Sequence, residues 1–373
     1  MNVYLDNGAT TDIAPEVWEA IKSAPFGNAS SLHTLGINAH QTLMEARESI
    51  AQAIGCTACE IIFTSGGTEA NNFAIKGTAF KAKKGHIITT KIEHDCVLNS
   101  CKWLETQGFS VTYLDVDENG FVNPENLEDA IQPDTIIVSI IHGNNEIGTI
   151  QDLTELSAIC KKHNVLFHID ACQSFTKTPI DLSLVDMMTI NSHKIHGPKG
   201  VGALYIKKHL RITPLFHGGG QERRYRSGTE NIPAIIGFAK AIAIKQDNNK
   251  ITTLRDKLID GILASVPGSS LNGPKENRLC NNVNISFEKV EGESIIELLS
   301  LSGISASTGS ACSSKSLEPS HVIMALGRDI EAAHGSVRFS LSRYTTEEEI
   351  SYVLETLPRI IAKLTAMSPL QEV

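Results

Sequence analysis

Between residues 60 and 207, seven short runs rich in β-branched and aliphatic residues alternate with stretches of helical periodicity. The runs are IIFTS (61–65), HIITTKI (86–92), SVTYLDV (110–116), TIIVSII (135–141), VLFHIDA (165–171), MMTIN (187–191) and VGALYIK (201–207). Helical patterns fill 68–82, 95–107, 124–131 and 152–163, with Asn123-Pro124 and Asp152 marking helix starts. This alternation leaves few folds open. Strands that are apolar along their length need cover on both faces, and intervening helices supply it. The expectation is an α/β architecture with a mostly parallel, seven-stranded sheet flanked by helices. The link SHKIHGPKG between the last two runs is too short for a helix, so at least one strand should run antiparallel.

The character of the chain changes at HGGGQERRYRSGTEN (217–231), which is polar and glycine-rich. A long helical stretch, about 233–265, leads into a second region. There NNVNISF (281–287), GISAS (303–307) and SVRFSLS (336–342) read as strands of a smaller α+β domain. The expected division is a large domain over 13–250 and a small one made of 1–12 together with 251–373, which suits a chain of 373 residues.

Bulk properties narrow the function classes. A net charge of −9 argues against nucleic acid as the main partner, since phosphate binding needs concentrated Lys and Arg. The one dense basic cluster, Arg223, Arg224 and Arg226, suits a small anion better than a polymer. The start, MNVYLDNGATT, lacks the basic and apolar regions of a secretory signal, and no apolar run is long enough to span a bilayer. A cytoplasmic protein with no membrane attachment is expected. Its eight cysteines then read as thiols. Cys96, Cys101, Cys160 and Cys172 fall in strand or helix patterns and are expected to pack. Cys56 and Cys59 form a C-x-x-C without a second pair or a suitably spaced histidine, so no metal is expected.

In sheets of this kind ligands bind beyond the carboxyl ends of the strands. The groups standing there are Gly67-Thr68, Glu93-His94, Asn144-Asn145, Asp170 with Gln173, and His193-Lys194 after Asn191. Taken singly, each has a plain alternative: Asp170 caps a helix, His94 fills a turn, Lys194 is solvated. The combination of lysine, carboxylate, histidine and a glycine turn before a helix matches what pyridoxal phosphate requires. That cofactor needs a lysine for its Schiff base, an acid facing its ring nitrogen and an anchor for its phosphate. The histidines show no metal-binding spacing.

These residues belong to longer stretches that resemble a known family. YLDNGATT (4–11), GNASSLHTLG (27–36), FTSGGTEANN (63–72), EHDCVL (93–98), HGNNEIG (142–148), HIDACQ (168–173), SHKIHGPKG (192–200), HGGGQERRYRSGT (217–229), VEGES (290–294), GSACSSKSLEPSHVIMALG (309–327) and VRFSLSRYTTEEEI (337–350) are similar to the cysteine desulfurases of the NifS/IscS type. These belong to the class V aminotransferase superfamily, with the fold-type-I architecture of pyridoxal-phosphate enzymes. The resemblance covers essentially the whole chain in order. It implies that Lys194 carries the cofactor, Asp170 pairs with the ring nitrogen and His94 stacks on the ring and moves protons. Asn145 and Gln173 would bond the ring oxygen or imine region. Gly67, Thr68, His193 and Thr229 of a neighbouring subunit would hold the phosphate, making the protein a homodimer. Arg338 would bind the substrate carboxylate. Asn191 stands where the family usually has serine as a phosphate ligand, and SPLQEV ends the sequence without the extension that helps IscS-type enzymes engage their scaffold protein.

Cys312 lies in GSACSSKS, with no apolar residue beside it, although cysteine is ordinarily a core residue. The resemblance explains it as the sulfur carrier on a long, mobile loop: its thiolate, favoured if Lys315 points inward, takes the sulfur of L-cysteine as a persulfide. Lys194 removes the α-proton, alanine leaves, and the sulfur passes to an iron–sulfur scaffold protein or another acceptor. Two alternatives share these residues. A selenocysteine lyase is separated by turnover on the two amino acids, and a non-catalytic paralogue that only binds a partner by the absence of cofactor absorbance.

Overall fold

The computed structural model describes residues 1–309 and 318–367; Cys312, Lys315 and the closing SPLQEV lie outside them. The chain opens with β1 (Val3–Tyr4), α1 (Pro15–Lys22) and α2 (Thr34–Ile54). Strands and helices then alternate: β2 (Ile61–Thr64), α3 (Gly67–Ala82), β3 (His86–Thr90), α4 (Asp95–Glu105), β4 (Ser110–Leu114), α5 (Pro124–Ala130), β5 (Thr135–Ile141), α6 (Leu153–Lys162), β6 (Leu166–Asp170), β7 (Met187–Asn191) and β8 (Gly202–Ile206).

The seven strands from β2 to β8 form one sheet in the order β2-β8-β7-β6-β5-β3-β4. All are parallel except β8, which runs antiparallel to both β2 and β7, as the short link before it requires. Alternate side chains of each strand feed two apolar layers. Ile61 and Phe63 of β2 join the layer built with α1, α2, α5, α6 and α7 (Ile232–Ala243), while Ile62 points into the layer built with α3 and α4. Both faces are thus dry, which accounts for strands apolar throughout.

The helical stretch expected at 233–265 is two helices, α7 and α8 (Asn248–Ser265). Ile244 is extended, and the Asp247 side chain accepts from the Lys250 N–H at 3.1 Å, starting a new helix. Beyond it lie β9 (Ser269–Leu271), β10 (Asn282–Phe287), α9 (Gly292–Leu301), β11 (Ile304–Ser305), α10 (His321–Ala325), α11 (Ile330–His334), β12 (Ser336–Ser340) and α12 (Glu347–Met367). Strands β9, β10 and β12 make an antiparallel sheet, and β11 pairs in parallel with β1. A separate apolar cluster joins this sheet to α8, α9 and α12, and Val3 and Leu5 belong to it. The segment holding β1 therefore leaves the second core near residue 6 and runs on toward the main sheet. Helices α1 and α2 and strands β1 and β9 are additions to the sequence-based expectation. Among the described residues no helix is long and apolar enough to cross a membrane.

Candidate active site

Five of the parallel strands deliver polar residues to one edge of the sheet, where β12 and the segment after β1 close over them. The result is a cavity of about 220 Å³. Ten of the twelve residues singled out from the sequence line it: Gly67, Thr68, His94, Asn145, Asp170, Gln173, Asn191, His193, Lys194 and Arg338. Cys312 lies outside the described residues. Thr229 does not reach this cavity in its own chain; it lines a different one with Ser65, Glu222 and Arg226.

Each side chain is set by the element beneath it. Asp170 ends β6, buried, with Oδ1 accepting from the Cys172 N–H at 2.8 Å and Oδ2 from Asn71 Nδ2 at 2.6 Å. Gly67 opens α3, and a larger residue there would force a shift: a Cβ would meet Cys172 Sγ at 2.5 Å, with Asn191 Nδ2 3.6 Å away. The first N–H groups of this sixteen-residue helix face the cavity end, where the helix dipole favours an anion. Asn191 ends β7, and its buried Oδ1 has no hydrogen-bond partner among the described residues. His94 caps α4, its Nδ1 accepting from the Cys96 N–H at 3.1 Å.

Arg338 reaches in from β12 and is almost wholly buried. Its Nη1 donates to the Asn145 carbonyl at 2.9 Å, and its Nη2 meets Asp6 Oδ1 at 3.0 Å. Gln173 Nε2 donates to the Gly8 carbonyl at 2.8 Å. The segment after β1 thus braces two site residues. Burial raises the Asp6 carboxyl above its ordinary value, against the pull of the Arg338 charge. Burial and the neighbouring Lys194 charge push His193 down to about 4 and lower His94 as well, so both rings are neutral at pH 7. Burial, with Asp170 nearby, pushes the Cys96 thiol up to about 12.

Sequence reasoning missed Asp6, Gly8, Ala9, Asn71, Cys96 and Cys172 as parts of this site. Asn71 was within reach: it lies three residues after Thr68 on α3 and so shares its face. Cys96 and Cys172 were expected to be packed thiols. Cys172 is buried and Cys96 partly buried, yet both line the cavity. Within the arginine cluster, Arg223 donates to the Cys59 and Ile61 carbonyls, and Arg226 pairs with Glu69.

Comparison with known proteins agrees along the whole length. The family model for Aminotransferase class-V matches residues 3–353. A protein named cysteine desulfurase IscS from Dictyoglomus turgidum is 51% identical, over 99% of this chain and 97% of its own. The solved structure of a NifS-like protein superposes with a TM-score of 0.90 at 40% identity, covering 98% of this chain and 100% of that one. Another, SspA in complex with cysteine, does so at 0.83 and 38% identity, covering 92% and 100%. With identity at this level spread over nearly every residue, the chain belongs to the class-V aminotransferase family, among the cysteine desulfurases of the NifS/IscS type.

Proposed function

We propose that this protein is a cysteine desulfurase that uses pyridoxal phosphate to convert L-cysteine to L-alanine and carries the released sulfur on Cys312. The observation that carries the reading is the convergence of Lys194, Asp170, His94 and Arg338 on one cavity. The names of the relatives, and the cysteine bound in the SspA structure, agree with it.

The residues present fit the cofactor. A Cβ at Gly67, where α3 meets the cavity, would crowd Cys172 Sγ at 2.5 Å, and Asn191 Nδ2, an amide donor, lies 3.6 Å from that position. This is the cradle a phosphate group needs. Thr68, Asn191, His193 and the Gly67 N–H would hold that phosphate, joined by Thr229 of a second subunit. Lys194 would hold the cofactor covalently through Nζ, Asp170 would face its ring nitrogen, and Asn145 and Gln173 would bond its polar edge. When bound, pyridoxal phosphate supplies an electron sink that acidifies the α-hydrogen of an amino acid.

The chain's own groups do the rest. Arg338, braced by Asp6 and the Asn145 carbonyl, presents a preset fork to the substrate carboxylate, which lowers the entropy cost of orienting it. Lys194 Nζ takes the α-proton, and His94 exchanges a proton on the same cavity. The Cys312 thiolate forms an S–S bond to the substrate sulfur as that sulfur's bond to carbon breaks. The β-carbon gains a proton, so cysteine plus a thiol yields alanine plus a persulfide, with atoms balanced. The persulfide sulfur then passes to an acceptor thiol for iron–sulfur cluster assembly or thiolation in the cytoplasm.

A homodimer completes this reading. Phe26 and Leu32 are 88% and 93% exposed in the single chain, an arrangement that favours a covering partner. The division into a large domain, 13–250, and a small one, 1–12 with 251–373, is proposed alongside.

The test is alanine release from L-cysteine by the purified protein, with persulfide transfer to an acceptor protein followed in parallel. Lys194→Ala is expected to abolish both alanine and the cofactor's lysine-linked absorbance, a loss of at least about 100-fold for a proton-transfer group. Cys312→Ala is expected to stop transfer. Full sulfur transfer by that variant would overturn the proposal.

A further inference from the structure

Between Asp170 and His94 runs a chain of hydrogen bonds through Asn71 and Cys96. The Asn71 amide has two protons. One goes to Asp170 Oδ2 at 2.6 Å, and Cys96 Sγ lies 3.2 Å from the same nitrogen. An amide nitrogen only donates, so the sulfur accepts there. The same sulfur stands 3.1 Å from His94 Nδ1, and the Cys96 backbone N–H donates to that Nδ1, also at 3.1 Å. A backbone N–H has no other role open to it, so Nδ1 carries no proton and the thiol supplies the hydrogen between sulfur and ring. A neutral imidazole with a bare Nδ1 bears its proton on Nε2.

We propose that Cys96 is a positioning residue whose backbone N–H and thiol, the latter oriented by Asn71, together hold His94 in the Nε2–H tautomer, so that His94 exchanges protons through Nε2 alone. The direction of every bond in the chain is then determined: amide to carboxylate, amide to sulfur, sulfur to imidazole. Asp170 and His94 are coupled by neutral groups, without a direct contact.

The electrostatics are consistent with this geometry. Burial, with Asp170 nearby, pushes the Cys96 thiol up to about 12, so it keeps the hydrogen it must donate. His94 is lowered, chiefly by burial. Of the charged or titratable groups facing it, Lys194 and His321 oppose a positive ring, while Asp170 and Asp95 favour one; burial and the cations prevail. Removing the thiol leaves the backbone N–H in place but deprives Nδ1 of its second donor and Asn71 of one of its two acceptors. Because that donor favours the uncharged ring, its loss raises the His94 pKa.

The proposal rests on the desulfurase reading for its catalytic meaning, and its test stands apart from that reading. Two-bond proton–nitrogen spectra of the ¹⁵N-histidine-labelled full-length protein, with and without bound pyridoxal phosphate, report tautomer and pKa; His94→Gln identifies the resonance. The wild type is expected to show His94 as Nε2–H at neutral pH. Cys96→Ala is expected to keep the Nε2–H tautomer, which the backbone N–H still favours, and to raise the pKa by about half a unit, the scale of one modest hydrogen bond. Cys96→Ser, which keeps an accepting and donating hydroxyl, should restore the wild-type values. A wild-type His94 protonated on Nδ1, or a Cys96→Ala protein whose His94 pKa is unchanged, overturns the proposal. In the pH profile of alanine release, the acidic limb should move up with Cys96→Ala and return with Cys96→Ser. If no alanine forms while the spectra behave as expected, the desulfurase reading fails and the role of Cys96 in holding the ring stands.

Discussion

Glu93, the residue before His94, is fully buried, and its Oε1 accepts from Thr90 Oγ1 and from the Ile141 N–H, each at 2.8 Å. Burial nevertheless dominates and pushes its carboxyl up to about 8. The folded protein therefore keeps a proton that the unfolded chain releases between about pH 4.5 and about pH 8. Where the native state binds more protons than the unfolded one, stability falls as pH rises, so Glu93 favours folding at the acidic end of that window. Glu93→Gln keeps the shape and removes the titration. Urea unfolding midpoints measured across the window are expected to fall less steeply with pH in the variant, and equal slopes would show that Glu93 does not titrate there. Single residues were also where the sequence was least informative. Lys194, Asp170 and His94 were legible because each follows an apolar run that had to be a strand. Cys96 was not, because its partners Asn71 and His94 come from different elements and only packing brings α3 against α4.

At the scale of elements, the turn from β2 to α3 holds the tightest constraint in the site. Adding one methyl group at Gly67 drives it into Cys172 Sγ, and a cysteine side chain is too short to swing far. Gly67→Ala is expected to cost about 1–3 kcal/mol, as overpacking usually does. Cys172→Ala removes the obstructing sulfur, so the double variant should be more stable than the sum of the single effects predicts. Urea unfolding of all four proteins checks this, and strict additivity would refute the clash. Elements were the most legible level. TIIVSII and MMTIN became β5 and β7 at the expected residues, since an apolar run between polar breaks has few other uses. The break between α7 and α8 was hidden because Ile244, Lys245 and Gln246 include neither proline nor glycine, and the cap at Asp247 became visible only in three dimensions.

For the whole molecule, the cavity depends on pieces far apart in the chain. In the dimer proposed above, Thr229, which misses its own chain's cavity, serves the other subunit's. Sedimentation is expected to give about twice the 40.4 kDa chain mass. Thr229→Ala should loosen cofactor retention in that dimer, and a monomer that retains cofactor fully would remove the need for a second subunit. The strands of the central sheet were readable because each is an apolar run between polar breaks. Their order, with β8 beside β2 and β5 beside β3, is set by crossovers that leave no mark on the runs themselves. The pairing of β1 with β11 was not readable, since a two-residue strand leaves no periodicity to find. That pairing also has a temporal side. Residues near 3 find their places only beside residue 304, and Asp6 engages Arg338, so the earliest-made stretch of polypeptide must wait for one of the latest. At the usual pace of 5–20 residues per second, a ribosome takes roughly 15 seconds or more to supply those partners. A nascent chain stalled before Arg338 emerges holds all seven strands of the main sheet but lacks a residue that lines the cavity at its edge.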